Sequence, residues 1–556
     1  MRKFSRGSRS LDTPFYDFFD LSTIIIIVGL ILIFILWPIT EVFIKSFFPD
    51  GSFSLEMYRV LFENNRQLIY NSIFVSTLST LGTVFIATAI ALYATFSNTK
   101  IKGIISGILM MTMISPPFVS SLSYIILFGR RGLITHRLLG LSISPYGWQG
   151  IVMMQIAGNV SIAALLIIGM MSSIDRNLIN ASLDLGESPS STVRKVVLPL
   201  GKPGIVAAGF LTFVKCISDF GTPIIIGGRF NVLATEAYLS VIGRGNFPRA
   251  SAISVLILIP SLFIFHIYRY HMESTQLLSA SGTRLQNNDN FGFNMGKILT
   301  FFLGLLTSLF LTFMVLQYIA IFLSAISDYR SGTLIFTTEY IRAVRFSLMP
   351  SFFRSIRYSF IAGIATSVIG LLLSYYIERR NLKIGKTIDF ISTLPYIMPG
   401  PFFGIAYILA FNKNPIAITG TGLIVVLNCI FRQIPISTKA ASAALKNISI
   451  ELEYAARDLG SPNIKVILGI VMPLLKPAFM VSFVNTFTAT MTTVGAIIFL
   501  ITPSSRVATV EMFNVLRDGK YGLASVIASM LIFTTLIINL SFSSLVMGKS
   551  KISKEQ

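Results

Sequence analysis

NASLDLG at Asn180–Gly186, followed by VVLPLGKP at Val196–Pro203, returns 274 positions later as YAARDLG at Tyr454–Gly460 and IVMPLLKP at Ile470–Pro477. In both copies the first proline (Pro199, Pro473) stands thirteen positions after the glycine (Gly186, Gly460), and nine of 24 ungapped positions are identical. That is far above chance and marks an internal duplication. The repeated stretch is polar, yet the chain around it is mostly apolar. It therefore belongs to a part that meets something outside the membrane, twice.

Of 556 residues, 53% are hydrophobic and 12% charged, with a mean hydropathy of +0.74. Soluble proteins carry about 25% charged residues. Six apolar runs long enough for a ~30 Å bilayer core occupy the first half: Thr23–Ile44, Ile73–Thr95, Ile104–Phe128, Ile151–Met171, Gly204–Gly228 and Ala250–Tyr268. Six more follow: Ile298–Ile326, Ser359–Ile377, Ile388–Phe411, Gly422–Ile436, Ala478–Ile501 and Leu523–Met547. The expectation is an all-α polytopic membrane protein of about 12 transmembrane helices.

The net charge of +21 reads as cations flanking membrane spans rather than as a nucleic-acid surface. MRKFSRGSRS at the start, Lys100 and Lys102, the 378–386 loop and the tail KSKISKEQ fall on one side if spans alternate, and that side is expected to be cytoplasmic, with both termini. Arg130, Arg131, Arg137, Arg229, Arg244 and Arg249 fall on the other side. The first run is too long for a cleaved signal peptide, and no small-residue cleavage site follows it. Cys216 and Cys429, isolated inside spans, and the scattered His136, His266 and His271 offer neither a disulfide framework nor a metal site.

The polar stretch His271–Gly296 reads as a cytoplasmic linker, dividing the chain into units 1–270, 271–297 and 298–556. Similarity extends beyond the motif at an offset of 283: Ser54–Phe62 with Thr337–Arg345, Ser72–Ile73 with Ser355–Ile356, Asn98–Lys102 with Asn381–Gly385, and Pro116 with Pro399. The drop to 274 places nine extra residues in the loop Gly129–Trp148. Six spans is an even number, so the repeats are parallel. Each motif loop lies between spans four and five. Gly186 and Gly460 end a first short helix, Ser188-Pro189 and Ser461-Pro462 start a second with a one-residue shift between halves, and Pro199 and Pro473 end it.

This pattern resembles the EAA loop of ABC-importer permeases, Glu-Ala-Ala, three residues, Gly, nine residues, then Ile-x-Leu-Pro. The resemblance covers essentially the whole chain, as two fused six-span units of the type I importer permease fold. Asn180 and Tyr454 replace the expected Glu, with Glu453 adjacent, and Ser182 replaces the second Ala. The resemblance implies that the loops are coupling helices docking on a separate cytoplasmic ABC ATPase dimer. Ala181, Asp184, Gly186 and Pro199 would act in one half, and Ala455, Ala456, Asp458, Gly460 and Pro473 in the other. It also implies an external substrate-binding protein and a bacterial inner membrane. No G-x-x-x-x-G-K-[ST] phosphate loop or catalytic constellation occurs. ATP and magnesium would belong to the partner, with no cofactor on this chain.

SDFGTPIIIGGRFNVLATEAY at Ser218–Tyr238 is similar to segments of fused permeases for ferric iron and for 2-aminoethylphosphonate. Thiamine and polyamine permeases are more distant. Ferric iron is placed first. Lys215 and Asp219, four residues apart, share a helical face. Two readings stand: they line the path, or they neutralise each other in a buried pair. Gly221 and Gly495 align and suit close helix packing, and Arg432 reads as interfacial. Pro116 and Pro399 kink or interrupt spans three and nine, beside the path or as simple packing kinks. Lys45–Leu68 and Ser327–Phe353 match and suit a rim for the binding protein. A twelve-span secondary transporter, the rival, would need a G-x-x-x-D-R-type loop that Ser97–Gly103 lacks.

Overall fold

The computed structural model describes residues 18–97, 101–116, 118–130, 132–141, 144–279, 295–330, 333–380, 382 and 384–552. The basic N-terminus, Asn98, Lys100, Pro117, Arg131, Asn381 and most of the linker lie outside the described residues. The first half runs through α1 (Phe18–Phe47), the short α2 (Glu56–Asn64), α3 (Arg66–Phe96), α4 (Lys102–Ile114), α5 (Val119–Phe128) and α6 (Trp148–Ser172). It continues through the loop helix α7 (Arg176–Asp184), α8 (Pro189–Ile217), α9 (Gly221–Ile226), α10 (Leu233–Ile242) and α11 (Phe247–Ser279). The second half begins with α12 (Lys297–Ala325), a hairpin of β1 (Ser327–Arg330) and β2 (Thr333–Phe336), α13 (Glu339–Ser347) and α14 (Met349–Arg379). Then come α15 (Gly385–Ile397), α16 (Gly400–Phe411), α17 (Gly422–Leu445), α18 (Glu451–Asp458), α19 (Asn463–Leu474), α20 (Lys476–Thr492), α21 (Ala508–Arg517) and α22 (Tyr521–Ile552).

The duplication is visible in element ends. α2, α3 and α4 begin and end 283 positions before α13, α14 and α15, and α6 and α11 begin 274 before α17 and α22. Nine described helices are long and apolar enough to cross a membrane, or up to 12 if each bent pair is one span. Two sequence expectations change. α11 runs on to Ser279, so the first residues of the expected linker are helical. The tenth span continues past Ile436 and Pro435 to Leu445.

Spans three and nine are broken. α4 and α5 meet at 105°, α15 and α16 at 115°. The cause is local. Ser115 (ψ 143°) and Met398 (ψ 136°) precede Pro116 and Pro399, and a proline ring pushes the preceding residue out of the helical region.

Large apolar side chains cover the spans' outer surface, among them Ile25, Phe85, Phe301, Leu309, Phe533 and Ile537. Lipid removes the hydrophobic drive for helices to associate, so close packing must hold them together. A Cβ on Gly370 would stand 2.1 Å from Ser437 Oγ, and one on Gly363 2.8 Å from Phe483 Cδ2. Buried hydroxyls bond across spans, as Ser367 does to Ser482 at 3.0 Å.

Each half lends its first span to the other. α1 packs on α14, α15, α16 and α19, while α12 packs on α3, α4 and α5. Asp20, fully buried in α1, is fixed by second-half groups. Arg380 Nη2 and Asn463 Nδ2 each donate to its Oδ2 at 2.9 Å, and Tyr376 Oη donates to Oδ1 at 3.2 Å.

Candidate coupling loops and translocation path

The repeated motif builds the same object twice. α7 ends at Asp184, capped by Leu185 and followed by Gly186 at φ +86°; α18 ends at Asp458, capped by Leu459 and followed by Gly460 at φ +81°. The left-handed glycine closes a Schellman turn, in which Glu187 N–H donates to Ser182 O at 3.2 Å and Ser461 N–H to Ala456 O at 3.0 Å. Leu178, Ala181, Asp184 and Leu185 are exposed in the first loop, and Leu452, Ala455, Asp458 and Leu459 in the second. These positions follow a helical stripe. Leu185 is 86% exposed and Leu459 88%. Two apolar studs at matching sites, beside a buried inner face, suit contact with a partner. Sequence reading had named the alanines and acids of this face and passed over its leucines.

Three details depart from the sequence expectation. The second loop helix begins at Pro189 and at Asn463, 274 apart, so the one-residue shift is absent. Ser188 caps the first start, its Oγ accepting from Ser191 N–H at 3.3 Å, whereas Pro462 stands at the cap in the second. Pro199 and Pro473 do not end this helix. Each follows one π-helical turn, Val193–Val197 or Ile467–Val471, and lies at the first positions of the next α-turn. A proline there forfeits little, because the wider turn has already displaced the ladder bond. The first half continues as α8, while the second bends by 69° between α19 and α20.

What holds the loop helices differs. Glu453, 2% exposed, sits on the inner face of α18. Tyr375 Oη donates to its Oε2 at 3.0 Å, Arg457 Nη2 approaches Oε2 at 3.3 Å, and Arg379 Nε approaches Oε1 at 3.5 Å. Arg379 also donates to Leu445 O at 2.7 Å and Ile448 O at 2.5 Å. It thereby satisfies the last carbonyl of α17 and one in the turn that follows it. In the first loop Ile179 is fully buried, and Ser182 Oγ and Thr192 Oγ1 lie 3.0 Å apart. Nearby, Lys195 donates to Glu187 Oε1 at 2.6 Å, and this bond holds the exposed carboxyl below its usual range.

Asp219 and Lys215 are not paired. α8 ends at Ile217, so Asp219 lies beyond the helix and the shared face is lost. Its Oδ1 accepts from Gly221 and Thr222 N–H, both at 3.1 Å, and its Oδ2 from Gln155 Nε2 at 3.3 Å. Gln155 is itself held by Ser79 Oγ at 2.8 Å. Asp219 therefore fixes the turn into α9. Lys215 has no hydrogen bond or ion pair among the described residues, and its side chain is exposed. Arg432 lies mid-span in α17, not at an end, and its Nη1 is buried without a partner among the described residues. Unpaired cations in spans cost about 2.5–3.5 kcal/mol each on insertion scales.

Aromatic rings from both halves meet beside these cations. Phe220 stacks on Tyr238 at 5.1 Å and meets Phe513 edge-on at 5.9 Å; Tyr238 lies 6.0 Å from Phe499. A Cβ on Gly221 would stand 2.0 Å from Phe118 Cε1, so that glycine is required for close packing. Gly495 is less confined, with Phe220 Cε1 at 3.5 Å from its Cβ position. Pro399 precedes α16, whose first residue Gly400 underlies the Arg432 guanidinium. Pro116 opens the turn into α5. A shallow open groove of about 590 Å³ beside Tyr93, Lys297, Thr300 and Gly304 involves none of these groups. Among the described residues, no group of three or more His, Cys, Asp and Glu side chains is placed to hold a metal ion.

The model of the binding-protein-dependent transport system inner membrane component matches residues 84–275 and again 367–547. The chain is 31% identical over 555 residues to the ferric transport system permease protein FbpB of Actinobacillus pleuropneumoniae, covering 97% of this chain and 80% of that one. It is 30% identical over 521 residues to the putative ferric transport system permease protein FbpB 1 of Haemophilus influenzae, covering 88% and 79%. A putative 2-aminoethylphosphonate transport system permease protein, PhnU of Salmonella choleraesuis, is 22% identical over 254 residues, 44% of this chain and 89% of that one.

Proposed function

Because the chain belongs to the family of binding-protein-dependent transport system inner membrane components, a family of multi-pass transport permeases, we propose that it is the membrane subunit of an ATP-driven importer worked through its two motif loops. In this reading α7 and α18 lie in the cytoplasm, as do both termini, and the membrane is a bacterial inner membrane. The exposed studs Leu185 and Leu459 enter grooves on a separate pair of ATPase subunits, which carry ATP and magnesium. The observation that carries the reading is the paired exposure of those leucines on helices whose inner faces are locked to the spans.

The mechanics follow from that locking. Closure of the two motors moves α7 and α18. Glu453 passes the motion to α14 through Arg379 and Tyr375, and Arg379 passes it to the end of α17. Asp20 links the same region to α1. The halves then tilt as rigid bodies about the aromatic contact between Phe220, Tyr238, Phe499 and Phe513. An external binding protein delivers the solute to the opposite face, where the matched helices α2 and α13 form the rim. The cargo placed first is ferric iron, which the names of the two long relatives support. Aminoethylphosphonate is second. The units 1–270, 271–297 and 298–556 act as permease half, linker and permease half. Purification of the chain with its neighbouring ATPase, followed by iron uptake into vesicles, tests this. Uptake dependent on ATP and on the binding protein is expected; uptake without ATP would refute it.

A further inference from the structure

We propose that Lys215 and Arg432 form an oxyanion filter at the junction of the halves, so that the solute crosses as a net-anionic species, and ferric iron as a complex with an oxyanion ligand rather than as the bare ion. The inference rests on the importer reading and specifies what passes.

The geometry is a meeting of three segments. Arg432 lies over the start of α16: a methyl placed on Gly400 would stand 2.8 Å from Nη1 and 3.1 Å from Nη2. The same point lies 3.3 Å from the carbonyl carbon of Gly495, and a methyl placed on Gly495 would stand 3.5 Å from Cε1 of first-half Phe220. Lys215 stands on the last full turn of α8, five residues before Phe220. One cation therefore comes from each half: Lys215 on the helix that leads to Phe220, and Arg432 over the Gly400–Gly495 approach. Position by position the duplication gives Ala489 for Lys215 and Gly158 for Arg432, so neither is a scaffold feature repeated in both halves.

The charges are unanswered. Lys215 has no hydrogen bond or ion pair among the described residues, and Nη1 of Arg432 is buried with no partner. Asp219, the acid within one turn, is already bonded to two backbone N–H groups and Gln155. A third cation, Arg517, donates to Tyr238 Oη at 3.4 Å on the far side of the aromatic contact. A bare trivalent cation would meet like charge here and, among the described residues, no carboxylate cluster. A phosphate, phosphonate or carboxylate oxygen would meet a guanidinium with free N–H groups and an ammonium.

The test uses the full transporter, with its ATPase and binding protein, in vesicles. Radiolabelled iron is supplied as its citrate complex with labelled citrate, and separately as its phosphate complex with labelled phosphate. Label from at least one anion is expected to enter with the iron. Lys215→Gln and Arg432→Gln are each expected to lower that import about tenfold or more, as loss of a charged hydrogen-bond donor does, whereas Lys215→Arg and Arg432→Lys restore most of it. Iron entering with neither anion would overturn the proposal even if the neutral variants fail to insert. So would neutral variants that import as fast as the wild type. ATP-driven phosphate uptake without iron would support the filter while removing iron as cargo. Absence of any ATP-driven uptake would sink the importer reading, and this inference with it.

Discussion

At positions 92, 96, 179 and 183 the first half has Leu92, Phe96, Ile179 and Leu183; at the matching positions the second half has Tyr375, Arg379, Glu453 and Arg457. The first set is apolar: Leu92, Phe96 and Ile179 share one buried cluster, with Leu183 packed against it. The second set is a hydrogen-bonded ionic group around a buried carboxylate. The backbone in the two places is the same to within a residue. One fold thus fixes the same helix by opposite chemistries. Buried ion pairs contribute little net stability over apolar packing, so the charges serve direction rather than strength. Arg379 and Glu453 join α14, α17 and α18 at defined atoms, and Asp20 extends the network to α1. The second loop helix is thus tied to three spans by directional bonds, and the first rests on apolar contacts without them.

The largest effect is expected from Glu453→Ala. It leaves Arg379 and Arg457 facing an empty carboxylate site, and breaking a buried pair from one side costs about 3–5 kcal/mol. Replacing all four groups together (Tyr375→Leu, Arg379→Phe, Glu453→Ile, Arg457→Leu) should recover most of that loss. Denaturant unfolding in detergent measures both, and equal destabilisation would break the comparison. Next come Leu185→Asp and Leu459→Asp. Each should weaken ATPase binding by about 2 kcal/mol, as removal of an interface anchor does, without shifting unfolding. Here the halves should behave alike, because exposure is alike. A docking titration with purified ATPase reads this directly, and a strong bias to one loop would show that only one lever engages.

Gly186→Val and Gly460→Val are expected to cost about 1–2 kcal/mol each through left-handed strain, since nothing lies within 4 Å of either added Cβ. Transport should fall while membrane insertion persists; wild-type rates in vesicles would remove the glycine turn from the mechanism. The smallest effect belongs to Ser182→Ala, about 1 kcal/mol for a lost hydroxyl bond to Thr192. The second half has Ala456 at that place and should be unmoved by Ala456→Ser, as unfolding midpoints of the two variants would show.

The repeat, the broken spans and the glycine turns were legible because each depends on local chemistry: spacing, a proline, a position needing positive φ. The leucine studs were not, since an exposed Leu looks like any other apolar residue until its neighbours are placed. The Glu453 group joins residues 78 positions apart, and no local pattern announces it. Setting the halves side by side would have, since Phe96 opposite Arg379 is a conspicuous exchange. Arg432 reads as interfacial from a span that ends at Ile436, yet the helix continues to Leu445. Lys215 and Asp219 were placed on one face because the helix was assumed to continue; it stops between them.

Coupling through the two loops is tested most directly by maleimide labelling of Leu185→Cys and Leu459→Cys in vesicles. The native Cys216 and Cys429 are buried and give a low background. Both introduced thiols should react from the cytoplasmic side in the permease alone and be protected once the ATPase is bound. Reaction only from the outside, or equal reaction with and without the ATPase, would contradict the account.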